Sequence, residues 1–346
     1  MKAAFLVKNG KSSSAFEVRD FSISNPEPNE IQIKVEAFGL NFADVMARNG
    51  QYPDAPKKPG ILGYDVVGSI VQKGEEVPDG LEIGSRVIAL TRFGGYAQMV
   101  NSDYRGVVPI AKDLPVDIAT ALATQGGTAY YMAKEMVNIF PGDQVLVHAA
   151  AGGVGSLLCQ MAVAMGATVY GTASTSEKLE YLKSIGVQYP INYKEHDFSE
   201  KVQSLLPNGQ HLDIIFDAIG GKSVSRGFKL MGSGGKMVLF GASALTSAKF
   251  IWSKIGVALG FGIYSPIGLL NPSKSLIGVN MLRIADDKPD IIGRVIQGAV
   301  DLYDQGKIIP KGGGVYSIND LAQAHDDLEN RRSMGKLAIK WQENIT

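Results

Sequence analysis

The sequence predicts an α/β protein in which a β-rich, barrel-like domain is split by an inserted, doubly wound parallel sheet. Three observations predict it. Short alternating runs between Gly, Pro and Asp clusters fill the chain up to about residue 122. From about residue 123, continuous apolar runs alternate with helix-like stretches, the pattern of repeated βαβ units. A glycine-rich turn, His148-Ala149-Ala150-Ala151-Gly152-Gly153-Val154-Gly155, joins the first of those runs to the first of those helices.

In chain order, Ile31–Val35, Val66–Val71 and Arg86–Leu90 alternate as half-buried strands. The clusters Pro59-Gly60, Pro78-Asp79-Gly80 and Gly94-Gly95 break them apart. After the turn Pro141-Gly142-Asp143 comes the strand Gln144–Ala149, then the helix Ser156–Met165. Strand Thr168–Thr172, helix Ser176–Ile185, strand Gln188–Ile191 and helix Ser199–Leu206 follow. Strand Asp213–Asp217, helix Ser223–Met231 and strand Lys236–Phe240 continue the series, and Leu276–Asn280 reads as a sixth strand. Strands buried on both faces lose their alternation, and the helices between them are the crossovers. The tail reads as helices Ile291–Gln305 and Ile318–Asn330 and a closing strand, Lys336–Lys340. The expected domains are residues 1–122 with 283–346, and residues 123–282.

Composition narrows the function classes. The chain has 346 residues, enough for about two domains. Its 34 Lys+Arg balance 34 Asp+Glu, so no charge excess draws it to nucleic acid or an anionic membrane. A single cysteine, Cys159, excludes an internal disulfide framework and any thiolate-rich zinc site. The first residues run straight into a strand-like stretch without the apolar core of a secretory signal, which predicts a cytoplasmic protein.

Residues Ile255–Ser273 carry no formal charge, and their length approaches a membrane span. Four glycines, Pro266 and Pro272 argue against a simple spanning helix. The favoured reading is an apolar lid or interface loop beside the sheet, and the alternative is a membrane-touching insert.

The glycine-rich turn matches a dinucleotide fingerprint with Ala150 at the first glycine position, then Gly152 and Gly155. Gly152 lets the backbone approach a pyrophosphate, Gly155 lets helix pack on strand, and the helix N-terminus offers free N–H groups. The second strand ends at Gly171-Thr172-Ala173-Ser174, with no acid to grip a ribose 2′-hydroxyl. Ser174 and Lys178 can instead hold a 2′-phosphate, which predicts NADPH. The plainer reading of Lys178 is a solvated helix residue.

The segments Gly39-Leu40-Asn41-Phe42-Ala43-Asp44, Val147–Gly155 and Gly171-Thr172-Ala173-Ser174 resemble the zinc-independent quinone oxidoreductases of the medium-chain dehydrogenase/reductase superfamily, most of all their vesicle amine transport branch. The resemblance runs from Lys2 to Lys340. It implies a GroES-like β-barrel domain plus a Rossmann domain, a homodimer paired through the Rossmann sheets, and hydride transfer from NADPH to quinones or enones. It places Gly152, Gly153, Val154, Ser174, Lys178 and Tyr193 at the cofactor and Thr128 near its nicotinamide. Phe240 and Gly241 become adenosine- or ribose-side neighbours, and Arg331 reaches the cofactor from the tail domain. Asn41 and Tyr52 become substrate-side residues.

One departure stands out. Where zinc-dependent relatives carry Cys, His–Glu and Cys, this chain has Asn41, Tyr64–Asp65 and Thr124. One carboxylate cannot hold zinc, so no metal is expected. Hydride transfer then leaves charge on a carbonyl oxygen that a phenol or amide must meet. The candidates are Tyr52, Tyr64 and Asn41, with Asp44 as an orienting acceptor. Plainer readings stand beside them: Tyr52 bracing a turn before Pro53, Tyr64 a buried core tyrosine, Asp44 a helix cap. His148 reads as a packed residue, His196, His211 and His325 as loop or surface residues, and Cys159 as core. A second reading of the whole chain is a nucleotide-regulated, membrane-associated binding protein with little catalysis.

Overall fold

The computed structural model describes residues 1–247 and 250–341, and the chain divides into two compact units. The first comprises Met1–Gly127, Met281–Asp304 and the chain from Pro310 onward; the second comprises Thr128–Asn280 and Gln305–Ile309.

In the second unit the strands form one six-stranded sheet. Its order is Tyr189–Asn192, Thr168–Ala173, Gln144–Val147, Leu212–Asp217, Met231–Leu239 and Ser275–Gly278, all parallel. The sheet grows outward in both directions from the central strand Gln144–Val147. The direction of growth reverses between that strand and Leu212–Asp217, the place where such sheets open a crevice at their carboxyl ends. Leu146, Tyr170, Ile215 and Met237 fill the core. The crossover helices start where side chains satisfy free backbone donors: Thr175 Oγ1 accepts from Lys178 N at 3.4 Å, and Asp197 Oδ1 from Ser199 N at 3.0 Å.

The apolar stretch differs from expectation. Instead of a loop it holds the latter part of the helix Ile251–Gly260 and the whole of the helix Pro266–Leu270. Pro266 takes the first helical position, where its missing N–H costs nothing, and Ser265 Oγ accepts from Gly268 N at 3.0 Å. Gly260 is needed for close approach, since a Cβ there would lie 2.7 Å from Lys222 N of the neighbouring helix. Trp252, Leu259, Ile267 and Leu270 are exposed, and Ile263 is 99% exposed. Among the described residues no helix is long and apolar enough to cross a membrane.

The first unit is built mainly of β-strands. A seven-stranded sheet runs Gly312–Ser317, Lys336–Lys340, Glu30–Leu40, Asp65–Lys73, Arg86–Leu90 and Val107–Pro109, with Met99–Asp103 also paired to Glu30–Leu40. A smaller sheet orders Phe16–Asp20, Lys2–Leu6 and Gly60–Ile61. Ile31, Phe38, Leu62, Tyr96 and Leu337 pack its core. Short helices Phe42–Arg48 and Leu321–Glu329 close against it.

Candidate active site

In the second unit the residues just past the strand ends are stitched together through the backbone. Tyr193 N donates to Ala173 O at 3.1 Å, Ala150 N to Thr172 O at 3.0 Å, His148 N to Phe216 O at 3.0 Å and Phe240 N to Asp217 O at 3.1 Å. Ala150, Ser174, Tyr193, Phe240 and Gly241 therefore lie along one edge of the sheet. His148 Nδ1 lies 3.2 Å from Thr172 Oγ1, and burial pushes its pKa down, so the ring is neutral and packed.

The glycine turn has the form a diphosphate requires. Ala149 takes the left-handed conformation, at φ 53°, and turns the chain out of the strand. The helix Gly153–Ala164 begins at once, three residues before its apolar pattern, with Gly153, Val154 and Gly155 in its first turn. A Cβ on Gly155 would sit 2.4 Å from Ala149 O, so only glycine lets helix and strand meet. A Cβ on Gly152 would meet only Ala149 O, at 3.1 Å; its other side is open. An open backbone edge at a helix N-terminus is a phosphate cradle, and these residues fit a dinucleotide. Beyond the fourth strand, buried Asp217 accepts from Ile219 N at 2.6 Å, Gly220 N at 2.8 Å and Ser223 Oγ at 2.6 Å, holding the next loop open.

Ser174 and Lys178 are half-buried at the end of the second strand and on the first turn of the next helix. Thr128 is buried on the helical turn Gly127–Tyr130. Arg331 is exposed in the first unit, left-handed at φ 58°, just after the helix Leu321–Glu329. Cys159 is buried and free, and burial raises its thiol pKa beyond any nucleophilic use.

The first unit gathers the other candidates. Asn41 ends a strand and starts the helix Phe42–Arg48; its N–H donates to Asp44 Oδ2 at 2.8 Å. Asp44 is fully buried, and burial raises its pKa to about 7. Tyr52 and Tyr64 meet edge-on with ring centroids 6.2 Å apart, and burial pushes both phenol pKa values up. Thr124 Oγ1 donates to Tyr64 O at 3.5 Å.

Three residues that the sequence reading gave no part in the site complete this cluster. Lys336, fully buried, places Nζ 2.5 Å from Asp65 Oδ2 and donates to Asn41 Oδ1 at 2.9 Å. Asn41 Nδ2 donates to Asp65 Oδ1. Gly39 makes the space: a Cβ there would lie 2.2 Å from Lys336 Cε. The third is His325, read from sequence as a loop or surface residue. It is instead fully buried, with Tyr96 Oη 3.1 Å from its Nε2 and the Phe16 ring tilted against it, centroids 4.7 Å apart. Its helix turns that face inward, and one histidine among polar neighbours carries no sequence signal of its own.

The donor set does not fit zinc. The only carboxylate at the four positions, Asp65, is taken by an ammonium, and the others offer an amide, a phenol and a hydroxyl. Among the described residues no group of three or more His, Cys, Asp or Glu could hold a metal.

Comparison with known proteins places this geometry. Residues 27–141 match the alcohol dehydrogenase GroES-like domain, and residues 153–283 match the family described as zinc-binding dehydrogenase. The synaptic vesicle membrane protein VAT-1 homolog of Rattus norvegicus is 32% identical over 324 residues, 91% of this chain and 77% of that protein. A probable quinone oxidoreductase of Schizosaccharomyces pombe is 32% identical over 343 residues, 96% of this chain and 95% of that protein. Among solved structures, Escherichia coli quinone oxidoreductase complexed with NADPH superposes with a TM-score of 0.83 at 27% identity, covering 98% of this chain and 100% of that one. The human VAT-1 homolog-like protein superposes with the same TM-score, 0.83, at 27% identity and 99% coverage of both chains. The chain belongs to the medium-chain dehydrogenase/reductase superfamily, among its quinone-oxidoreductase-type members and the VAT-1 homologues.

Proposed function

We propose that the protein is an NADPH-dependent reductase of quinones or other conjugated carbonyls that works without zinc. The observation that carries this reading is the open Gly152 edge at the N-terminus of Gly153–Ala164, beside a second strand ending in Ser174 with no acid. A dinucleotide fits the cradle, and Ser174 with Lys178 suits a 2′-phosphate. Relatives solved with NADPH support the same choice.

Bound NADPH supplies hydride. The chain binds and orients: Gly152, Gly153, Val154 and Ala150 at the diphosphate, Tyr193, Phe240 and Gly241 along the sugar side, Thr128 and Arg331 as further contacts. Negative charge then grows on the carbonyl oxygen of the substrate. Tyr52, Tyr64 and Asn41 supply phenol and amide hydrogens to meet it, and Asp44 orients Asn41 through its backbone N–H. A quinone needs little acid catalysis because its reduced anion is delocalised. The edge strand Ser275–Gly278, bonded on one side by Met231–Leu239, suits a two-fold homodimer by sheet pairing.

The test is NADPH oxidation with a panel of ortho-quinones, para-quinones and enones. Turnover on at least one class supports the reading; tight NADPH binding with no turnover on any class refutes it.

A further inference from the structure

Lys336 and Asp65 are completely enclosed, whereas Asn41 keeps 9% of its surface exposed. The three therefore form a closed charge pair with one outlet. Lys336 ties distant parts of the chain together, since it and Asn41 are 295 residues apart. Burying such a pair is costly, and apolar residues of similar volume often serve stability as well or better. The chain nevertheless gives up a side chain at Gly39 to admit it, because a Cβ would also lie 2.3 Å from Asp65 Oδ2.

The chemistry of the two partners fixes the Asn41 amide. An ammonium only donates and an ionised carboxylate only accepts. Lys336 Nζ therefore selects the carbonyl oxygen, and Asp65 Oδ1 selects the amide nitrogen. The amide cannot flip without setting donor against donor and acceptor against acceptor. One of the two Nδ2 hydrogens is used by Asp65, which leaves the other for a ligand.

We propose that Lys336 is a positioning residue: anchored by Asp65, its ammonium locks the Asn41 amide with the oxygen turned inward and one N–H kept for the substrate oxygen. The inference rests on the reductase reading for its kinetic consequence, but not for the amide geometry. Without the pair nothing sets the orientation of the amide, and its N–H is presented to the substrate only a small fraction of the time.

The test uses the full chain with NADPH and 1,4-benzoquinone. Lys336→Met alone leaves a buried lone carboxylate and risks misfolding, so the deciding variant is Lys336→Met/Asp65→Leu, which removes both charges together. The paired variant is expected to fold, to keep its KM for NADPH within about twofold, and to lose up to about 10²-fold in kcat, the scale of a lost oxyanion donor. Adding Asn41→Ala to it is expected to cost little more, because the three act as a unit. In ¹⁵N-labelled protein the Asn41 side-chain amide is expected to exchange slowly with solvent, and quickly in the paired variant. Wild-type kcat with an unchanged amide signal in the paired variant would overturn the inference, as would a further full loss on adding Asn41→Ala. Failure of the wild type to reduce any quinone refutes the reductase reading instead, and amide exchange then decides the positioning role alone.

Discussion

Lys336 Nζ lies 2.5 Å from Asp65 Oδ2 with both side chains fully buried, an ion pair inside a β wall and out of reach of water. Removing one partner strands the other. Lys336→Met alone should cost about 3–5 kcal/mol in chemical denaturation, while Lys336→Met/Asp65→Leu should be near neutral. Equal losses for the single and the paired variant would show that the pair itself stabilises the fold.

The two glycines of the phosphate turn should separate folding from binding. Gly155→Ala drives a Cβ to 2.4 Å from Ala149 O, a backbone atom that cannot yield, so it should cost about 1–3 kcal/mol. Gly152→Ala meets only Ala149 O at 3.1 Å and should cost less than about 1 kcal/mol. It should nevertheless weaken NADPH binding about tenfold or more, because the methyl group takes the place of the diphosphate. Melting curves and calorimetric titrations of both variants check this; unchanged NADPH affinity in Gly152→Ala contradicts it.

Cofactor choice turns on Lys178. If its ammonium meets the 2′-phosphate, Lys178→Ala should lose about 1.5–3 kcal/mol of NADPH binding and almost nothing for NADH. Parallel titrations with the two coenzymes decide, and equal losses remove Lys178 from the 2′-phosphate site.

Two buried groups in the first unit should oppose each other as pH changes. Burial raises Asp44 from 3.8 to about 7, so the folded state holds a proton that the unfolded state releases; stability from this group is full below pH 3.8 and lost as pH rises through about 7. Burial, helped by Arg48, lowers His325 from 6.5 to about 3, so stability from this group is full above pH 6.5 and lost as pH falls towards about 3. Between about pH 4 and 6.5 the two slopes cancel, each at most about 1.4 kcal/mol per pH unit. Asp44→Asn should make stability rise with pH across that window, and His325→Gln should make it fall. Melting temperatures measured in steps across the window check both signs; a slope that neither substitution changes would rule the pair out as its source.

Much of the second unit was legible because its strands are buried on both faces and read as apolar runs. In the first unit, Arg86–Leu90 and Lys336–Lys340 have the bounds read from sequence. Met231–Leu239 was legible only from Lys236, because Gly232, Gly234 and Gly235 interrupt its first half. The helix Gly153–Ala164 starts earlier than expected because glycines hide a helix start whose purpose is backbone access. The helices Ile251–Gly260 and Pro266–Leu270 were missed because glycine and proline were counted as breakers, whereas Pro266 and Gly260 sit where helices accept them. In the candidate site, Asn41, Asp44, Tyr52 and Tyr64 are near one another in sequence and could be read as a group. Lys336 and His325 could not, because only the fold brings the tail to them. The one available sign was a lysine directly before an apolar run, Lys336-Leu337-Ala338-Ile339.

The most direct measurement is the rate of NADPH oxidation with 1,4-benzoquinone before and after exhaustive dialysis against a zinc chelator, with metal content read on the same sample. The account predicts turnover that dialysis leaves unchanged and zinc far below one per chain. Absence of turnover with every quinone and enone, or turnover that disappears on dialysis and returns with Zn²⁺, would contradict it.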